Sequence, residues 1–337
     1  MKPHPALTVL ILLPPWLPAV SGLAQNTVRA QNSEQPTLRI SSGLVLLDVE
    51  ALDRTDSRPV STLTRDDFRV FDNGHSVAIK TFDSGVAARP LALWFVVQCN
   101  MRGWETRGSG LFSGQIQRFQ PALEHLDKRD RVAVAHWCDD GAANVDLPPT
   151  GNIAQVIPTL EQALVPRPDT PSHDRSGELA LEKALQLIVD TTRSMPSEHV
   201  PVIVFLYGDY SAMPKSEANQ FIGELLATSA IAFGLKDRRS PRYFAFGLSG
   251  EQGSVADYIA AQTGGEYFWA TPETYASELK TILEQLHARY ELGFKPAALD
   301  GKRHKLLLKL AVHAGNRGGG VRLRYRAAYI PLPTTVE

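Results

Sequence analysis

The stretch Leu91-Ala-Leu-Trp-Phe-Val-Val-Gln-Cys99 decides the fold, because it is an almost unbroken apolar run. A strand of this composition is covered on both faces, as strands of a parallel sheet are. Similar runs recur at Arg131–Cys138 and Val200–Tyr207, and segments with helical spacing of apolar residues separate the three. This alternation of strand and helix predicts an α/β fold with a doubly wound, mostly parallel sheet and helices on both faces.

The surrounding sequence predicts the remaining elements of this sheet. Helices are expected over residues 116–126, 153–164, 179–189, 217–226, 255–263 and 273–289, and further strands over 230–235, 243–248 and 266–269. Ligands of open α/β sheets bind at the carboxyl ends of the strands. We therefore expect a functional site at that edge.

Strand patterns on both sides of this region predict a smaller β domain. They cover residues 44–52, 66–70, 77–82, 290–294, 305–312 and 321–330. Asn73-Gly74 supplies the positive φ angles of a tight hairpin turn. Because neither group has enough strands to bury its apolar face, we expect both groups to form one domain, with the α/β domain inserted between them.

The last of these strands has a basic face. Arg322, Arg324 and Arg326 alternate with apolar residues, so their side chains are expected on one side of the sheet. Such a face would bind a polyanion or would be a solvated face that protects a sheet edge. The second interpretation is favoured, because charges on edge strands are routine.

The N-terminus predicts export. Lys2 precedes an apolar run over residues 6–13, which Pro14 and Pro15 end well short of the ~20 residues of a membrane span. Small residues favour signal-peptide cleavage after Ala24. The protein is expected in the periplasm or outside the cell, with no membrane span.

Length and composition limit the classes of protein to which this chain can belong. A chain of 337 residues has room for about two domains, and its 43% hydrophobic and 21% charged residues indicate a soluble globular protein. With 35 Lys+Arg and 36 Asp+Glu the net charge is -1, so no overall field attracts nucleic acid. No nucleic-acid partner is expected.

Four segments, in their order and spacing, resemble the secreted von Willebrand factor A domain-related proteins of the acidobacterial type. They are Leu-Thr-Arg-Asp-Asp-Phe-Arg-Val-Phe-Asp-Asn-Gly at 63–74, Asp-Arg-Val-Ala-Val at 130–134, Thr-Gly-Gly-Glu-Tyr-Phe at 263–268 and Tyr-Glu-Leu-Gly-Phe-Lys-Pro at 290–296. The resemblance covers roughly residues 38–330. It implies a von Willebrand A-like domain, which usually binds protein partners through a metal-ion-dependent adhesion site.

The sequence and this resemblance together give the expected domain organisation. It comprises a signal peptide at 1–24, a flexible leader at 25–37, a discontinuous β domain at 38–85 and 290–330, a von Willebrand A-like domain at 88–289 and a tail at 331–337.

The adhesion site implied by the resemblance is where the sequence departs from the family. Its divalent cation is held by hard oxygen ligands from an Asp-x-Ser-x-Ser motif and from a later aspartate. Gln98, Asn100 and Arg102 stand at the motif positions, and Gly208 stands where the aspartate is expected. Because a guanidinium repels a divalent cation, we expect a degenerate site that binds no metal or other cofactor.

The favoured function is therefore a metal-independent protein-interaction module with an unidentified protein partner. Trp104 and Phe112 are candidate anchors in the interface, although both residues equally fit a role in packing their own loop. The expected binding rim contains Gln98, Asn100, Arg102, Trp104, Asp139, Asp140, Gly208 and Asp209.

Two alternatives stay open. One is a cation-dependent adhesin that holds Mg²⁺ or Ca²⁺ with the displaced oxygen ligands Asn100, Asp139 and Asp209. The other is a hydrolase with Cys99 or Cys138 as nucleophile. No nucleophile elbow, Walker loop or His-Glu-x-x-His motif occurs in the chain, so no enzymatic activity is expected.

The two cysteines end two predicted strands that are parallel neighbours in the topology implied by the resemblance. Neighbouring strands lie ~4.8 Å apart, and a disulfide tolerates Cα separations of about 4.4 to 6.8 Å. The oxidising compartment favours a bridge between Cys99 and Cys138. The alternative is a pair of buried free thiols.

Overall fold

A computed structural model describes residues 43–85, 89–99, 115–138, 141–164, 176–195, 198–207, 215–237, 255–311 and 320–331. The signal peptide, the leader, the strand expected at 243–248 and nearly all of the tail lie outside these ranges. The described residues belong to one compact unit.

The described strands alternate with helices through the middle of the chain, as expected. In chain order the strands are β1 (Val45–Asp53), β2 (Phe68–Asp72), β3 (His75–Val77), β4 (Ile79–Ser84), β5 (Leu91–Cys99), β6 (Arg131–Cys138), β7 (Ala143–Thr150), β8 (Val200–Tyr207), β9 (Ile231–Asp237), β10 (Tyr267–Ala270), β11 (Tyr290–Phe294), β12 (His304–Leu310), β13 (Val321–Tyr325) and β14 (Ala328–Tyr329). The helices are α1 (Gln120–Leu123), α2 (Val156–Ala163), α3 (Ser176–Ser194), α4 (Lys215–Ala227), α5 (Val255–Thr263) and α6 (Tyr275–His287).

The larger sheet has the strand order β10-β9-β8-β5-β6-β7. All neighbours are parallel except β6 and β7, which are antiparallel. Side chains of β5 alternate between two hydrophobic cores, with Phe95 in the core on one face and Trp94 in the core on the other. This alternation explains the unbroken apolar run, and the predicted doubly wound α/β class is confirmed.

The N- and C-terminal strands form the smaller β domain, which is also confirmed. It consists of two antiparallel sheets with the orders β13-β1-β11-β4 and β14-β12-β2-β3. Strand β1 pairs with both β11 and β13, and β2 pairs with β12. The shared core contains Phe68, Tyr290 and Phe294. Neither terminal group of strands could bury this core alone.

Strand β7 is missing from the sequence-based prediction. It contains Pro148 and Pro149, which cannot donate hydrogen bonds to a ladder. The strand tolerates them because it lies at the edge of the sheet, and its pairing with β6 is irregular.

Two strands of the β domain were predicted as longer than they are. The segment 77–82 divides at Ala78 into the end of β3 and the start of β4, which belong to different sheets. The segment 321–330 divides in the same way into β13 and β14. The turn at Asn73-Gly74 has the expected positive φ angles of 48° and 86°.

The Thr263-Gly-Gly265 turn joins the two domains. The Thr263 hydroxyl accepts a hydrogen bond from the Ala232 amide at 2.9 Å and donates one to the Ile259 carbonyl at 2.9 Å. Gly264 has a φ of +95°, and a Cβ there would lie 2.5 Å from the backbone nitrogen of Arg326. A Cβ at Gly265 would lie 1.9 Å from the Ala232 carbonyl oxygen. The two glycines allow the backbones to meet.

Asp130 has a comparable structural role at the amino end of the larger sheet. Its carboxylate accepts hydrogen bonds from the backbone amides of Leu91 at 2.7 Å and Asp127 at 2.8 Å. His287 lies 3.1 Å away through Nε2. Burial raises the pKa of the Asp130 carboxyl, but these hydrogen bonds outweigh burial and hold the pKa below its ordinary value. The buried carboxylate thereby fixes the start of β5.

Candidate functional site

The carboxyl ends of the parallel strands meet at one edge of the larger sheet. Cys99 at the end of β5 is the register partner of Cys138 at the end of β6. Lys236 of β9 is the register partner of both Tyr207 of β8 and Trp269 of β10. We call this region the carboxyl edge. It is where the fold class places a binding site.

Most residues of the expected binding rim lie outside the described residues. These residues are Asn100, Arg102, Trp104, Asp139, Asp140, Gly208 and Asp209, and the candidate anchor Phe112 joins them. Gln98 is the described member of the rim.

Gln98 is buried, with 8% of its surface exposed. It pairs with Trp137 across the β5–β6 ladder. A neutral amide costs less to bury than a carboxylate. Gln98 therefore contributes no charge to the carboxyl edge.

A buried ion pair lies at the same edge. The Nζ of Lys236 is 3.1 Å from Oδ2 of Asp257, and both side chains are buried. Asp257 lies in the first turn of α5, where the helix dipole stabilises a carboxylate. The two residues are 21 positions apart, and their pairing is not evident from the sequence. The signal that the sequence offers is a lysine directly after the apolar run 231–235.

Two aromatic rings lie close to Lys236. The Nζ lies 4.9 Å from the centroid of the Trp269 ring and 5.5 Å from that of Tyr267, both within cation–π range. The rings contact each other edge to face, at 6.2 Å and 84°. Tyr267 is 45% exposed on the edge strand β10. Lys236, Tyr267 and Trp269 form what we call the β10 aromatic patch.

Metal ligands are not gathered in the described part of the chain. Within it, no group of three or more His, Cys, Asp or Glu side chains is placed to hold a metal ion. The displaced set Asn100, Asp139 and Asp209 lies outside those residues. Asp257, whose carboxylate lies at this edge, is already paired with the Lys236 ammonium, so this ion pair offers no free carboxylate to a divalent cation.

Cys138 is disulfide-bonded, and its side chain is fully buried. The chain contains two cysteines, and matched register places positions 99 and 138 side by side on adjacent strands. In this state Cys138 carries no thiolate that could act as a nucleophile.

The row of arginines expected on the last strand is instead part of the joint between the two domains. Arg324 and Arg326 are 8% and 7% exposed, so the interpretation as a solvated face is wrong for both. Arg324 donates to Glu50 and, at 2.6 Å, to Oε1 of Gln285. Arg322 remains partly exposed and pairs with Glu266 at 3.0 Å.

Arg326 crosses the joint. It donates hydrogen bonds to Oγ of Ser229 at 2.9 Å and to the carbonyl oxygens of Leu226 at 3.3 Å and Leu46 at 2.5 Å. Burial lowers the pKa of Arg326 to about 10. Burial also raises the pKa of Glu50, although Arg324 acts in the opposite direction. These two arginines hold the domains together, so Arg324 and Arg326 are not available to a polyanion.

Solved structures similar to this chain include von Willebrand factor A domains. One is a von Willebrand factor type A protein from Catenulispora acidiphila, with a TM-score of 0.43 and 12% identity over 78% of this chain and 72% of that chain. Another is BatB from Bacteroides thetaiotaomicron, with a TM-score of 0.38 and 13% identity over 58% of this chain and 97% of that chain. A third is the domain of the type V pili tip protein Mfa5 from Porphyromonas gingivalis, with a TM-score of 0.37 and 11% identity over 60% of this chain and 96% of that chain.

Similarity of this size concerns the fold and carries no argument about function. No protein-family model matches the sequence, and no curated protein is significantly similar to it. Among the described helices, none has both the length and the apolar character needed to cross a membrane.

Proposed function

We propose that this chain is an exported protein-interaction module that binds its partner at the carboxyl edge without a metal ion. The observation that carries the proposal is the β10 aromatic patch. An exposed tyrosine there lies beside a second aromatic ring and a buried ammonium group. Tyr and Trp are enriched at the centres of protein interfaces, because they combine a large apolar area with a polar tip.

The charges at this edge support binding without a metal ion. Gln98 replaces an aspartate of the family motif, and Lys236 already forms a buried ion pair with Asp257. Arg102 and Gly208 replace two further ligands, so the adhesion site is degenerate in this proposal. A cation-dependent adhesin would have to use Asn100, Asp139 and Asp209 instead.

The location proposed is the periplasm or the cell exterior. The N-terminal sequence has the pattern of a signal peptide, with cleavage after Ala24. The disulfide at Cys138 supports this location, because disulfides persist in oxidising compartments and are rare in the cytosol.

Site-specific photo-crosslinking tests the proposal. A photo-crosslinking phenylalanine analogue replaces Tyr267, and the matched control carries it at Leu299, which is 42% exposed in the β domain. We expect an adduct with one envelope protein from position 267 only, with equal yield in EDTA and in magnesium. Equal adducts from both positions, or an adduct that requires magnesium, would overturn the proposal.

A further inference from the structure

We propose that the outer face of β2 and β12 is a second interaction surface, which binds an acidic protein segment. Its exposed and half-exposed side chains are Arg69 and Phe71 on β2, and Lys305, Leu307 and Lys309 on β12. We call this set the basic face. It belongs to the β domain, so it does not depend on the function proposed for the carboxyl edge.

Strand alternation separates the basic face from the core. Leu306 and Leu308 point into the hydrophobic core of the β domain, whereas Lys305, Leu307 and Lys309 are exposed. Leu307 is 41% exposed and pairs directly with Phe71 across the ladder. An exposed leucine beside a half-exposed phenylalanine forms a small apolar centre.

Basic side chains surround this apolar centre. Lys309 pairs directly with Arg69, and its Nζ lies 5.5 Å from the centroid of the Phe71 ring. Like charges directly opposite each other destabilise a sheet. Arg69 donates to the backbone carbonyls of Asp66 and Phe68, both at 2.8 Å, and not to a carboxylate.

The positive charge on this face has no outward-facing carboxylate beside it on the same strands. Within the described ranges, Arg69, Lys305 and Lys309 form no ion pair, and the outward positions of β2, β3 and β12 carry no carboxylate. Asp72 of β2 points inward, where it contacts His304 at 2.8 Å. A surface that served only solubility would intersperse both signs. The missing carboxylates therefore indicate a partner that supplies them.

The number of basic residues on this face indicates which class of partner it can bind. An apolar centre with a charged rim is the usual anatomy of a protein interface. Strong nucleic-acid binding uses about 6–10 phosphate contacts, more than this face can provide. Three basic residues raise the affinity for an anionic membrane only about a hundredfold, too little for stable attachment. An acidic segment with an apolar residue between its carboxylates fits the face best.

Fluorescence anisotropy with the mature protein tests this inference. The probes are a labelled Glu/Asp-rich peptide with central Leu and Phe, a peptide of the same composition without the apolar residues, duplex DNA, and phosphatidylglycerol vesicles. We expect the first peptide to bind most tightly. Its Kd should rise at least tenfold in K305E/K309E and severalfold in Leu307→Ser.

Lys128→Glu serves as the charge-matched control, because Lys128 is exposed in the α/β domain. It should leave the Kd unchanged. The Tm of each variant shows whether it folds, and K305E/K309E should keep or raise the Tm because it removes like-charge repulsion. Equal binding by wild type and K305E/K309E, or tighter binding of DNA or vesicles than of the peptide, would overturn the inference.

Discussion

Cys99 and Cys138 are direct register partners at the carboxyl ends of two parallel strands. In the sequence, most of the expected binding rim follows these two strands directly, from Asn100 onward and at Asp139 and Asp140. A bridge between Cys99 and Cys138 would link the ends of the two strands. Its removal should therefore destabilise the fold.

The first prediction concerns this bridge. Mass spectrometry of the exported protein, alkylated in denaturant without reduction, should find no labelled thiol. A Cys99→Ser/Cys138→Ser double variant should lose roughly 3 to 4 kcal/mol of unfolding free energy, as expected for a closed loop of about 40 residues. Dithiothreitol should lower the Tm of wild type and leave that of the double variant unchanged. Two labelled thiols in the unreduced protein would show that the bridge does not form.

The second prediction concerns the glycine at the domain joint. Gly264→Ala places a Cβ 2.5 Å from the backbone of Arg326 at a φ of +95°. We expect a loss of about 3 kcal/mol or more, from backbone strain and steric overlap together. Gly74→Ala is the control, because its φ is +86° but a Cβ there meets nothing within 4 Å. It should cost about 1 kcal/mol, from strain alone. Equal losses in urea denaturation would contradict this account.

The fold could be predicted because apolar periodicity is a local property. The expected bounds of β5, β6 and β8 agree with the structure, since each strand is covered on both faces and reads as one apolar run. Strand β7 could not be predicted, because an edge strand needs little apolar cover and tolerates prolines. Apolar periodicity therefore predicts the central strands of a sheet more readily than its edge strands.

The arginines of β13 and of the turn after it show a second limit. Alternation places Arg322 and Arg324 on one face, but it does not show what lies against that face. The partners Glu50 and Gln285 are distant in the sequence and meet Arg324 only in the folded chain. From the sequence alone, a charged strand face is therefore interpreted as solvent-exposed, because its distant partners are not evident.

The segments that carry the resemblance include residues that fix the scaffold. Thr263, Gly264 and Asp130 belong to the segments that carry it, and each supports backbone geometry. The ion pair between Lys236 and Asp257 is not evident from the sequence, because the two residues lie on different elements and meet only through the strand–helix topology.

The third prediction concerns acid stability. Because the pKa of Asp130 is lower in the folded protein than in the unfolded chain, its carboxylate stabilises the fold above about pH 4, and this contribution is lost as the pH falls further. Asp130→Asn should lose about 2 to 3 kcal/mol at pH 7, since an amide cannot accept from both the Leu91 and Asp127 amides. Its unfolding free energy should also fall less between pH 5 and pH 3 than that of wild type.

Asp66→Asn is the control for the third prediction, because Asp66 is exposed in the turn before β2. Its stability should follow that of wild type at every pH. Parallel curves for wild type and Asp130→Asn in urea titrations would show that Asp130 does not contribute to acid sensitivity.

The last prediction concerns divalent cations, which separate the proposed module from a cation-dependent adhesin. A ligand that binds only the folded state, at a hundredfold excess over its Kd, stabilises that state by about 2.7 kcal/mol and raises the Tm. We expect magnesium, calcium and manganese to leave the Tm unchanged, because Gln98 is neutral and the Asp257 carboxylate at the carboxyl edge is already paired with Lys236. Lys236→Met, which leaves Asp257 unpaired, should still show no magnesium-dependent rise in Tm, because a single carboxylate does not make a site for a divalent cation. A magnesium-dependent rise in wild type that Asp209→Ala abolishes would instead assign the site to the displaced ligands Asn100, Asp139 and Asp209.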